Sequence, residues 1–166
     1  MSQELEYMDD MLWDAVDTAR RGPIDPSLGE HELARIFPKA DLALVPIYRD
    51  LLALAEEFQM FTGRQLGLWE QIGELYGAIT YGITLSREGG RSTGGTLGDQ
   101  RVAIRTIAPG GDEAVMVSRA DPFDRLLIVR IDENFEVRGQ MLPRAALPAG
   151  ESAEIRVGWG DLRPFN

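Results

Sequence analysis

The chain has no cysteine, one histidine and, among 17 basic residues, a single lysine, Lys39. The missing cysteine excludes disulfides, Cys-ligated zinc, iron–sulfur clusters and thiol catalysis. One histidine excludes a His-rich metal site within one chain. Any lysine-dependent reaction has only Lys39 to call on, because the 16 arginines stay protonated and cannot stand in as proton-transfer groups. No run of 18 apolar residues occurs, so no transmembrane helix is expected. The acidic start, MSQELEYMDD, lacks the positive charge and apolar stretch of a signal peptide, and a cytoplasmic location is the expectation.

What is present fits one ordinary globular domain: 166 residues, 44% hydrophobic and 27% charged. The net charge of −10 is uneven. Residues 1–60 hold 13 acids against 5 bases, and residues 61–166 hold 14 against 12. The first third is therefore a poor surface for a phosphate backbone and a better one for a protein partner or self-association. The second part is close enough to neutral for a local basic patch.

Residues 1–62 read as an acidic helical part. Over 4–21, Met8, Leu12, Ala15, Val16 and Ala19 keep a helical period, with Arg20 and Arg21 closing the helix and Gly22–Pro23 ending it. Ser27 and Glu30 have the spacing of a capping box for a short helix reaching about Phe37. Asp41 is placed to cap a longer helix whose apolar face is Ile47, Leu51, Leu54, Ala55 and Phe58, with Pro46 in its first turns and Gly63 at its stop. A third helix is expected over 66–81, with Leu68, Ile72, Leu75 and Ile79 in a narrow arc. Glu70, Gly73, Glu74 and Gly77 fall on its far side. The two glycines cost roughly 1 kcal/mol each against alanine, which marks either a close approach by another backbone or a frayed helix.

Past Gly82 the pattern turns to short strands, expected at 83–85, 101–107, 114–117, 126–131, 136–141 and 155–157. LLIVRI reads as the central strand and 136–141 as an edge. A glycine-rich loop or hairpin, REGGRSTGGTLGDQ, precedes the second strand without the Lys-Ser/Thr ending of a phosphate-binding loop. Residues 121–124 are expected to form a short helical turn, and PRAAL another. Helices first and then a compact sheet make the fold class α+β, with a mixed α/β core over 63–166.

Candidate chemistry is sparse. His31 reads as a surface residue. Glu70 and Glu74 stand four apart on one helix, a pair suited to a divalent cation or acid–base work, or simply a solvated face. Arg105 lies on the strand face opposite Val102 and Ile104, and Glu74 is a candidate ion-pair partner for it. Asp99 sits at the start of that strand. The tryptophans Trp13, Trp69 and Trp159 read as packing anchors rather than a base-stacking platform.

The order of helix with embedded acid (IGELYGAITYGITL), glycine-rich hairpin (STGGTLG) and strand (QRVAIRTI), followed by LLIVRIDENFEVRGQM, resembles the restriction-endonuclease-like fold of the PD-(D/E)XK superfamily. Within it, the chain is most similar to a family of small uncharacterised bacterial proteins. The resemblance covers about residues 66–165 and implies an endonuclease-like sheet flanked by helices, with the N-terminal helices as an extension. Active members hold one or two magnesium ions between a helix glutamate, a strand aspartate and a (Glu/Gln)-x-Lys strand. Here Glu74 falls at the helix glutamate, Gly94 or Gly95 at the aspartate, Ala103 at the Glu/Gln and Arg105 at the lysine. Alanine and glycine supply no side-chain oxygen, and arginine puts a fixed positive charge where the metal would sit.

The resemblance therefore implies a relic site of Glu74, Asp99 and Arg105 in a non-catalytic domain that acts through protein contacts and takes no cofactor. Nucleic-acid binding without cleavage through Arg87, Arg91, Arg101 and Arg105 is one alternative. A magnesium-dependent nuclease rebuilt on Glu70, Glu74 and Asp99 is another.

Overall fold

A computed structural model describes residues 20–87 and 94–162. The helix expected over 4–21 and Trp13 fall outside them, apart from Arg20 and Arg21. The fold is α+β. Three helices come first, α1 (Glu30–Ile36), α2 (Leu44–Thr62) and α3 (Trp69–Thr80). Seven strands follow: β1 (Thr84–Leu85), β2 (Gly94–Leu97), β3 (Gln100–Ile107), β4 (Ala114–Ser118), β5 (Arg125–Ile131), β6 (Val137–Pro143) and β7 (Glu154–Gly158). Among the described residues, no helix is long and apolar enough to cross a membrane.

The main sheet has the order β1-β2-β3-β5-β6, antiparallel except for the parallel pair β3–β5. Parallel neighbours need a crossover, and here it carries β4, which leaves the sheet to pair with β7 in a separate two-stranded ribbon. The run LLIVRI is the interior strand β5, and 136–141 falls on the edge strand β6, both as its apolar content requires.

The period-2 alternation of β3 divides the core. Val102 and Ile104 join α2, α3 and the N-terminal segment in one apolar cluster, while Ala103 and Ile107 join Val115, Val117, Phe123, Ile155 and Val157 of the ribbon side in the other. The sheet is thus covered by α3 on one face and by β4–β7 on part of the other.

Gly73 and Gly77 are buried and face the sheet, contrary to the far-side placement the apolar arc suggests. A Cβ on Gly73 would lie 2.0 Å from Thr106 Oγ1, and one on Gly77 2.7 Å from Leu127 Cδ2. The close approach that would explain the glycines is made by sheet side chains. It seats α3 so deeply that every residue from Tyr76 to Thr80 is buried.

Three local readings change. Ser27 makes no capping box. Its amide and hydroxyl both donate to Asp25 Oδ1, at 2.9 and 2.7 Å, and the residue before α1 is Gly29, which carries no side-chain cap. Asp41 does not cap α2: its carboxylate accepts from the Ala43 amide at 3.0 Å in the turn before the helix, whose N-cap, Ala43, carries no side-chain cap. The segment 121–124 is a bend, not a helical turn, and it is held by arginine. Arg144 donates to the carbonyls of Arg119, Asp121 and Phe123 at 2.6, 2.6 and 3.0 Å while stacking over the Phe123 ring at 4.4 Å.

Helix α2 is rotated from expectation. It buries Val45, Tyr48 and Ala55, and Tyr48 meets the Tyr76 ring at 6.3 Å. Ile47 and Leu54, expected in the core, are exposed. The helix bears two apolar arcs side by side, and both have helical spacing. Gly63 ends the helix in the left-handed region at φ 68°, as expected.

Arg20 and Arg21 are not themselves helical. Arg21 exchanges backbone hydrogen bonds with Gly139 of β6, at 2.8 and 2.9 Å, and so covers part of that exposed edge. Its guanidinium donates to the Thr80 carbonyl and stacks on Tyr81. Arg20 stacks on Trp159 and donates to Gln140 Oε1 at 3.0 Å. The Tyr76 hydroxyl, 2.7 Å from the Gly22 carbonyl oxygen, pins the same segment from α3.

Candidate functional site

The part of the sheet that the β4–β7 ribbon leaves uncovered forms a cleft of about 340 Å³. Its floor follows from the register. Gly94 stands opposite Ala103, and Ser86 donates its amide to the Gly94 carbonyl at 2.9 Å, so one cross-sheet row carries only small side chains. The next row, Thr84, Thr96 and Arg101, lines one side. Arg105, Asp121, Pro122 and Phe123 line the other.

The floor cannot accept larger residues. A Cβ at Gly94, whose φ is +156°, would lie 2.1 Å from the Val102 carbonyl oxygen, and one at Gly95 2.0 Å from that of Thr84. Neither position has room for an aspartate with this strand spacing. Glycine at both positions is required by the close backbone approach between these strands.

Arg105 Nη2 lies 3.4 Å from Asp121 Oδ2, and Nη1 donates to the Ile104 carbonyl at 2.9 Å. The expected Glu74–Arg105 ion pair does not form. Glu74 belongs to α3, which packs on the Val102 and Ile104 face, whereas Arg105 opens onto the opposite face with Ala103. The carboxylate that meets Arg105 comes instead from the bend after β4. Proximity in sequence to the strand gave Asp121 no distinguishing signal; its position depends on the Arg144 carbonyl contacts.

Glu74 is half-buried. Loss of hydration, and then the negative charge of Glu70 one turn away, push its carboxyl above the usual glutamate range. Glu70 is exposed. Asp99 is exposed in the β2–β3 turn and is not a lining residue of the cleft. The three acids Glu70, Glu74 and Asp99 do not converge, and among the described residues no three His, Asp or Glu side chains form a metal-holding group.

The arginines divide similarly. Arg101 and Arg105 line the cleft. Arg87 is exposed just past β1, and Arg91 lies outside the described residues. Arg101 is fixed by its backbone: its amide donates to Asp124 Oδ2 at 2.8 Å, and its carbonyl accepts from the Asp124 amide at 2.9 Å. Among the described residues, the side chains around the cleft offer two guanidinium groups, three hydroxyls and one carboxylate. That set can hydrogen-bond a polar or anionic group. With a single carboxylate it is poorly suited to hold a hard cation, which needs several convergent oxygens.

His31 is exposed on α1, as expected. Trp69 is a buried anchor against Phe135, at 5.9 Å between rings. The apolar row left bare on α2 was hidden in the sequence by its similarity to a core face. No family model, no curated protein and no solved structure matches the chain.

Proposed function

We propose that the chain is a non-catalytic, endonuclease-like cytoplasmic domain that works through protein contacts, with α2 as the contact surface. The observation that carries this reading is the bare apolar row of α2: Ile47, Leu54 and Phe61 are 50%, 51% and 81% exposed at seven-residue spacing. Half-buried Leu51, which also rests against the protein's own core, and Phe58, with the Arg64 guanidinium 5.8 Å from its ring, fill the intervals. Isolated exposed apolar residues are ordinary, but three on one line of a helix, with two half-buried ones between them, form a surface for another element. The cleft supports the non-catalytic half of the reading, because Arg105 pairs with Asp121 there and, among the described residues, the floor has no acid.

The test pairs two measurements on the full chain. Incubation with DNA and RNA in magnesium or manganese is expected to leave both uncut. Leu54→Asp with Phe61→Asp is expected to abolish association with its protein partner while the fold, read by circular dichroism, is retained. Metal-dependent cleavage lost in Glu74→Ala would overturn the reading in favour of a rebuilt nuclease.

A second reading rests on Arg101 and Arg105 beside the hydroxyls of Thr84, Ser86 and Thr96. These groups suit a phosphate, which supports nucleic-acid binding without hydrolysis. Gel shifts that weaken with salt and with Arg101→Ala would favour it.

A further inference from the structure

From the α2 surface we infer the chemistry of its partner: an amphipathic helix of about four turns whose apolar stripe is flanked by arginine or lysine. This rests on the proposed contact role of α2 and goes beyond it by assigning the partner's charge and shape.

The spacing of Ile47, Leu51, Leu54, Phe58 and Phe61 alternates four and three residues. In heptad terms these are successive d and a positions, a seam that accepts the side chains of one facing helix. The seam spans 15 residues, or about 21 Å at 1.5 Å per residue, the length of a four-turn helix.

The flanks are unequal. On one side the e positions are Tyr48 and Ala55, which are buried in the protein's own core. On the other side the g positions are Asp50 and Glu57, both exposed, with the cation of Arg64 near this flank, past the helix end and 5.8 Å from the Phe58 ring. Among the described residues neither forms an ion pair. A docked helix therefore has one flank over the protein body and the other against a row of carboxylates, which attracts basic side chains.

The same charges disfavour a second copy of this chain. Two α2 helices packed antiparallel through this seam bring the g positions of both copies together, so Asp50 and Glu57 would face their own equivalents. The chain's net charge of −10 adds to the repulsion.

The experiment uses the full chain and two fluorescent helical peptides of 15 residues. Both carry leucine at a and d; one carries arginine at the flanking positions and the other glutamate. The arginine peptide is expected to bind, at least about tenfold more tightly than the glutamate peptide, and to weaken with salt. Asp50→Lys with Glu57→Lys is expected to reverse that preference, and Leu54→Asp to abolish both. These positions are exposed, so the variants should retain the fold.

Equal binding of the two peptides would overturn the partner's charge while leaving α2 as a contact surface. Because the chain lacks cysteine, Leu54→Cys reports on the surface directly. Slow labelling in the monomeric full chain would mean that the chain covers its own seam, and would overturn both readings. A dimer abolished by Leu54→Asp would identify a second copy as the occupant and overturn the inference. Failure of the arginine peptide to bind a freely labelled seam would also overturn it.

Discussion

Arg105 and Asp121 meet at 3.4 Å on the face of the sheet away from α3, linking the middle of β3 to the bend that leads into β5. Both side chains are partly shielded, so the pair is worth more than an open surface contact and less than a buried one. A double-mutant cycle of Arg105→Ala and Asp121→Ala is expected to give a coupling of about 1 kcal/mol. The matching cycle of Arg105→Ala and Glu74→Ala is expected to give almost none, because the sheet lies between them.

The seating of α3 makes a counterintuitive prediction. Gly73→Ala improves helix propensity, yet its new methyl would sit 2.0 Å from Thr106 Oγ1. The variant is expected to lose roughly 1–3 kcal/mol in chemical denaturation, the usual cost of overpacking. Thr106→Ala removes that oxygen, so the double variant should recover part of the loss. A single variant as stable as the parent would contradict the contact.

Arg144 makes a separate prediction. Its three carbonyl contacts and the Phe123 stack hold the bend that presents Asp121. Arg144→Ala is expected to cost about 2 kcal/mol or more, given charge-assisted hydrogen bonds and a ring contact. Arg144→Lys should rescue little, since an ammonium lacks the planar fork. The variant is also expected to disturb the nuclear magnetic resonance signals of Arg105.

Glu74 supplies the pH dependence. Its folded-state carboxyl is raised by lost hydration and then by Glu70. The folded state therefore binds the proton more tightly than the unfolded chain, and the ionised side chain costs stability above its raised pKa. That cost is relieved as pH falls through the folded value toward the unfolded one. Glu74→Gln should be more stable than the parent at pH 7, with the advantage shrinking to nothing near pH 4. An advantage that grows on acidification would reverse the sign of the argument.

Strand β3 is readable from alternation because it has a different neighbour on each face, and β5 from its continuous apolar run because it is covered on both, whereas β2 lies in a glycine-rich segment that reads only as a loop or hairpin. The end of α2 was readable from Gly63. The core face of α2 was not, since Val45–Tyr48–Ala55 and Ile47–Leu54–Phe61 have equivalent helical spacing. Only the docking of Tyr48 against Tyr76 selects one. The arginines were hardest to place. Arg20, Arg21 and Arg144 act on carbonyls distant in sequence, and residue type alone does not say which carbonyl will be in reach. For the same reason Arg105 was assigned to Glu74, when its partner arrives on a bend set by Arg144.

Arg105 and Asp121 form an internal guanidinium–carboxylate pair in the cleft, and among the described residues no metal-holding group of acids stands there. Crystals soaked in manganese test this arrangement through anomalous scattering. The expected map has no ordered manganese at Glu74 or in the cleft, with Arg105 still against Asp121. A manganese ion coordinated by Glu74 and a second acidic side chain would contradict it.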